Sequence, residues 1–240
     1  MSSDGVPKNF HCLYKQEEFL RSQALELIAA NPDLTLHLAV IECAMDLTDL
    51  LRQVPTEDED FKVLQILSIR TFNAFGASIK LALSGYSQNS ALIMRDILET
   101  VFLTDMFSKD RSTIKQWREA KTAKDRDKFR PVNVRKFLDD HDGFTSEKRA
   151  AVYKMFSELA AHPSMQSMHM LRPQVGGDAV GGPFMEFKTL QAVLSEMAKL
   201  AVQVGEIVSG FFPQDFHTAT LSRADFIGKK KEWIKKFYSR

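Results

Sequence analysis

The sequence predicts an all-α fold, a multi-helix bundle, on three observations. Apolar residues recur three and four positions apart along most of its length. The runs are separated by Pro, Asn and Gly, the residues that end helices. Two consecutive runs, about 61–84 and 87–107, are apolar on most sides, which predicts a buried central helix pair. With 240 residues, 44% hydrophobic and 26% charged, the chain has ordinary globular composition and enough length for one well-buried core.

Residues 1–16 are polar at the start and are expected to fray, leaving 17–240 as a single helical domain. Phe19, Leu20, Ala24, Leu27 and Ile28 mark the first helix. Asn31-Pro32-Asp33 breaks it, and Asp33 is the expected cap of the second, whose stripe is Leu34, Leu38, Ile41 and Met45. The acids Glu57 to Asp60 suit the N-terminus of the first central helix, and Gly85 suits its C-terminus. Between Ser108 and Arg130 the chain is strongly charged, with a thin stripe of Ile114, Trp117 and Ala120, as expected of a surface helix and loop. Pro131 opens a short helix through Leu138, closed by the segment Asp139-Asp140-His141-Asp142-Gly143. Thr145 is the expected cap of a helix over 146–161, which Pro163 stops, biasing His162 toward an extended conformation.

The segment 164–185, with Gly176-Gly177 and Gly181-Gly182, reads as one long loop or a small hairpin pairing His169-Met170-Leu171 with Phe184-Met185-Glu186. A long apolar helix follows from about Thr189 to Phe211. The last helix ends in Lys229-Lys230-Lys231-Glu232-Trp233-Ile234-Lys235-Lys236.

Charge is unevenly distributed. Residues 17–62 hold eleven acids against three bases; 109–136 hold eleven bases against four acids; 215–240 hold seven bases against three acids. Opposite charge on separate segments can dock them onto each other or onto a second copy, so a homo-oligomer is expected. The basic aromatic helix, with Lys229, Lys230, Lys231, Trp233, Lys235 and Lys236, is the candidate surface for a protein partner or RNA; the alternative is that its aromatics pack back onto the bundle. Cys12 and Cys43 are too few for a disulfide framework, and no CxxC occurs, which suits reduced thiols and a cytoplasmic location. The N-terminal residues do not read as a secretory signal, and no apolar run is long enough to span a membrane.

Several chemistries lack their motifs. There is no HExxH or ExxH, no GxGxxG, no GxxxxGK[ST] and no GxSxG, so no cofactor and no metal is expected. What remains is a polar island. With Arg95 at zero on a helical wheel, Glu99 falls at about 40°, between Leu92, Leu103 and Met106 at about 60°, 80° and 20°. Arg95 and Glu99 can pair at i,i+4, and if that face is buried both charges need compensation. Arg95 is the candidate ligand-binding residue, with Ser157 beside it. Tyr153 and Ser157 share a face of a later helix that ends in His162, and His162, Tyr153 and Glu99 are the catalytic candidates if there is catalysis.

The run Gly85-Tyr86-Ser87 through Arg95, Glu99 and Thr100, then Val152-Tyr153 through Ser157 and His162, resembles a family of uncharacterised bacterial all-helical proteins with R-x-x-x-E and Y-x-x-x-S…H helices. The layout is similar to HEPN-type helical domains, some of which are metal-independent ribonucleases with an R-x4–6-H pair. Arg135 and His141 meet that spacing, but about one such match is expected by chance in a chain with thirteen Arg and six His. His162 has no arginine at that distance. The first reading is a helical interaction or regulatory protein, and the resemblance implies a setting in bacterial stress or phage defence. The alternative is a HEPN-like ribonuclease, or an enzyme binding a small anionic ligand through Arg95 and His162.

Overall fold

The computed structural model describes residues 5, 7–145, 147–162, 165, 167–173 and 176–239; most of 1–6, Ser146 and Pro163 lie outside them. Ten α-helices follow in order: α1 Lys8–Ala29, α2 Pro32–Leu51, α3 Glu59–Leu83, α4 Ser87–Lys109, α5 Ser112–Glu119, α6 Ala123–Asp127, α7 Pro131–Asp142, α8 Lys148–Phe156, α9 Phe187–Ser209 and α10 Ala219–Phe237. No strand occurs among the described residues. The architecture is an all-α bundle.

Local signals explain most helix ends, with four corrections. α1 begins at Lys8, so much of the segment expected to fray is helical; its first turns are mostly exposed and left no apolar period to read. α2 is capped by Asn31, whose Oδ1 accepts from the Asp33 and Leu34 amides at 2.9 and 3.3 Å, not by Asp33. Pro32 stands first in the helix, where its missing N–H costs nothing, and Asp33 falls in the first turn beside the positive end of the dipole. α8 starts at Lys148 without a side-chain cap, leaving Thr145 outside it. The hairpin is absent: 167–171 forms a 3₁₀ turn, Ser167–Leu171, and the Phe184 amide donates to the Gly85 carbonyl at 3.2 Å.

Gly85 is the hinge of the chain path. It closes α3 with the Tyr86 amide on the Leu81 carbonyl (2.8 Å) and its own amide on that of Ala82 (3.3 Å), at φ 88°. This is the turn that glycine favours after a helix. Tyr86 then reaches α1, donating to Glu17 Oε1 at 2.8 Å.

α3 and α4 pack along each other, α2 and α9 meet face to face, and α9 also backs onto α4. The α9 stripe Leu190, Val193, Leu194, Met197, Ala201, Val204 and Val208 is buried throughout. α10 lies across α2. Its Phe226 ring sits so close to Gly205 that a Cβ there would come within 2.2 Å, which is why α9 carries a glycine at this point. Burial of Phe226 contributes roughly 1.5–3 kcal/mol. One apolar side of α3 has no cover: Ile66 is 64% and Ile69 42% exposed. Apolarity on most sides predicts burial on all of them only when other helices surround the helix, and here the Ile66–Ile69 side faces outward. No helix of the described residues is long and apolar enough to cross a membrane.

Candidate functional site

α4 presents Arg95 and Glu99 one turn apart, and both α7 and α8 pack against it. α7 brings Arg135 and α8 brings Tyr153 to the same place. The Tyr153 hydroxyl accepts from Arg95 Nη2 and donates to Glu99 Oε1 at 3.0 Å. Arg95 Nη2 lies 3.1 Å from the same carboxylate oxygen. The Arg95 and Arg135 guanidinium carbons lie over the Tyr153 ring, 4.7 and 4.2 Å from its centroid. Both are within cation–π range, and the ring's negative faces lessen the repulsion between two like charges.

The compensation is incomplete. Glu99 pairs with Arg95 alone, and Arg135 has no ion pair among the described residues. Arg95 Nε and Arg135 Nη1 are buried without an acceptor. A buried donor without a partner costs about 1–3 kcal/mol, so this cluster is poised for a group that accepts hydrogen bonds and carries negative charge. It is also reachable, since the Arg95 and Glu99 side chains are 24% and 33% exposed.

The predicted site residues divide. Arg95, Glu99 and Tyr153 come together; Ser157 and His162 do not join them. Ser157 is buried, and its hydroxyl donates to the carbonyl of Tyr153 at 2.8 Å, within its own helix. There α8 passes into a π turn, Ser157–Ala161, closed by the His162 amide on the Ser157 carbonyl at 3.1 Å. His162 is extended, at φ −119° and ψ 140°, as a residue before proline should be. Its side chain lines a separate pocket of about 640 Å³ beside Gln88. Gln88 stands seven residues before Arg95 on α4, two turns or about 10 Å away.

Arg135 is the residue that sequence reasoning passed over. It shares α7 with His141, but six residues place the two about 120° apart around the helix. Arg135 faces Tyr153, while His141 is exposed beside Phe137, ring centroids 6.2 Å apart. The available signal was the position of Arg135 next to Val134 and Leu138, the buried stripe of α7.

Two of the acids that close α7, Asp139 and Asp142, are engaged. Arg149 bridges Asp139 Oδ1 at 2.6 Å and Asp142 Oδ2, and the Arg149 hydrogen bond holds the Asp142 carboxyl below its usual range. Among the described residues, no group of three or more His, Cys, Asp or Glu is placed to hold a metal ion. The basic aromatic helix packs back onto the bundle. Trp233 is 3% exposed and donates from Nε1 to His37 Nδ1 at 2.8 Å. Lys229 pairs with Glu232, Lys230 with Glu206 and Lys236 with Asp33, leaving Lys231 and Lys235 on the exposed side. Trp233 is therefore core and is not available to a partner. Lys236–Asp33, and Arg118 on Asp60 at 2.9 Å, join basic segments to the acidic one within the chain.

Against family models, curated proteins and solved structures alike, the chain has no match.

Proposed function

We propose that this protein is a helical binding and regulatory protein that takes a small phosphate-bearing ligand at Arg95, Arg135 and Tyr153. The observation that carries this reading is the pair of guanidinium groups on one tyrosine ring, with a carboxylate paired to Arg95 alone and a buried, unpartnered N–H on each arginine. A phosphate group supplies the missing charge and the missing acceptors together, in the geometry that guanidinium recognises best. No proton transfer is assigned to His162, which lies on a different pocket. A bacterial setting in stress response or phage defence, as the resemblance implies, and a cytoplasmic location, as the two thiols suggest, belong to the same proposal.

The test is thermal unfolding and calorimetric titration at low ionic strength with inorganic phosphate and a nucleoside monophosphate, chloride serving as control. The wild type is expected to gain stability with phosphate, by about 2.7 kcal/mol when ligand stands at 100 times its dissociation constant. Arg135→Gln should weaken binding at least tenfold, because it removes a charged donor while leaving the Arg95–Glu99–Tyr153 contacts in place. His162→Ala should bind as the wild type does. A wild-type protein that responds equally to phosphate and chloride sinks the reading.

A second reading concerns self-association. Lys62, Ile66, Ile69, Asn73, Gly76 and Lys80 alternate at spacings of four and three along α3, the repeat of a two-helix seam, and Ile66 to Lys80 of that row are exposed. A second copy crossing antiparallel makes this face self-complementary, as a two-fold interface requires. It places Lys80 of one copy near the exposed Glu57 and Glu59 of the other. Light scattering after size exclusion should give twice the 27.3 kDa chain mass, and Ile66→Glu should halve it without lowering the melting temperature. A wild-type mass of one chain rules this interface out.

A further inference from the structure

A second cavity, of about 680 Å³, lies between α4, the end of α8 with its π turn, the 3₁₀ turn and α9. Its volume is that of a small-molecule site. The walls are apolar and soft: Met94, Met155, Phe156, Met170 and Val193 line it. Methionine fills space without imposing a shape, so such walls accommodate a flexible chain. The π turn contributes Leu159; turns of this kind inside helices recur at functional sites.

The rim is polar, and its charges are not equally free. Glu186 caps α9, accepting from the Lys188 and Thr189 amides at 3.0 and 2.6 Å and from the Thr189 hydroxyl at 2.9 Å. Glu196 pairs with Lys199 at 2.5 Å. Both acids are thus engaged. Arg172 Nε is buried without an acceptor, and Lys188 makes no ion pair among the described residues. Neither Arg95 nor Tyr153 lines this cavity, so it is separate from the cluster on α7 and α8.

An apolar chamber whose lining includes a buried guanidinium N–H without an acceptor calls for a ligand that is greasy at one end and an anionic acceptor at the other. We infer that this cavity binds a medium-chain aliphatic carboxylate, its tail among the methionines and its head on Arg172, with Lys188 nearby. The phosphate reading above does not enter this argument, and either can fail without the other.

Calorimetry on the full chain tests it with dodecanoate, with dodecanol as the same tail lacking charge, and with phosphatidylglycerol vesicles as the membrane-borne source of an anionic acyl group. Dodecanoate should bind one per chain with a dissociation constant on the order of 10 μM. Dodecanol should bind more weakly, and vesicles should not retain the protein in flotation. Arg172→Gln should weaken dodecanoate about tenfold and leave dodecanol unchanged. Ala192→Trp, placed on an exposed lining residue so that the core is undisturbed, should abolish both. Three results overturn the proposal: no dodecanoate binding by a folded wild type, equal binding by Arg172→Gln, or undiminished binding by folded Ala192→Trp. Flotation of the protein with vesicles, without binding of free dodecanoate, assigns the surface to a membrane instead and equally overturns it.

Discussion

Gly85→Ala is expected to destabilise the fold by roughly 2–4 kcal/mol. Two independent costs combine. Gly85 holds φ 88°, where a side chain strains the backbone. A Cβ there would also lie 2.8 Å from both the amide nitrogen and the carbonyl oxygen of Phe184, and 2.9 Å from Leu20 Cδ1. The leucine methyl can move aside; the backbone of Phe184 can move only if the 176–186 segment lifts from the α3–α4 turn. In a chain of this length the shift in melting temperature should be about 10 °C. Gly76→Ala is the matched control. Gly76 lies inside α3 with nothing within 4 Å of its added Cβ, and the same substitution there should stabilise by about 0.5–1 kcal/mol. Calorimetric melting of the two variants should therefore move in opposite directions. A Gly85→Ala melt within 2 °C of the wild type would mean that Phe184 does not rest on that turn.

The contrast between these glycines shows what a sequence carries and what it leaves out. Both precede or interrupt an apolar run, and the turn at Gly85 follows from its place at the end of one. The contact that makes Gly85 costly to replace comes from a residue about a hundred positions away, which no local pattern announces. The same division holds across the fold. α3, α4 and α9 are legible because their apolar residues recur with the helical period over more than twenty positions. The start of α1 and the π turn after Phe156 are not: an exposed helix has no stripe, and one extra residue in a turn leaves the periodicity almost unchanged.

The candidate site divides along the same line. Arg95 and Glu99 stand out because charge among apolar residues at i,i+4 is a local anomaly. Tyr153 shares a helix face with Ser157, but its meeting with Arg95 depends on how α8 crosses α4, and the meeting with Arg135 on how α7 does. Counting R-x-H spacings drew attention to the separation between Arg135 and His141 rather than to the face each one presents. Once the three helices are packed, the arginine lies over Tyr153 and the histidine stacks on Phe137.

The largest pH effect should come from His37. Trp233 on α10 donates to His37 Nδ1 at 2.8 Å, and the Phe237 ring stacks on the imidazole with centroids 4.5 Å apart, so the neutral ring carries its proton on Nε2. Burial lowers its pKa from the ordinary 6.5 to about 4; Asp33 opposes that shift, while Lys199 and Lys236 add to it. An unfolded chain takes up the proton near 6.5 and the folded one only near 4, so between these values the unfolded state binds more protons. Stability is then at its full value above about pH 6.5 and falls as the solution is acidified toward pH 4, by about 2–3 kcal/mol at pH 4.5 from this group. Protonation removes the acceptor of the Trp233 N–H, so α10 should loosen from α2 first. Urea unfolding of Trp117→Phe, which leaves Trp233 as the one tryptophan, should show its emission shifting to the red between pH 6 and 4.5, ahead of global unfolding. His37→Gln keeps an acceptor for Trp233 and has no proton to take up, so its stability should lack this share of the acid loss. Equal loss in His37→Gln and the wild type between pH 7 and 4.5 would assign the acid sensitivity to the carboxylates and remove His37 from the account.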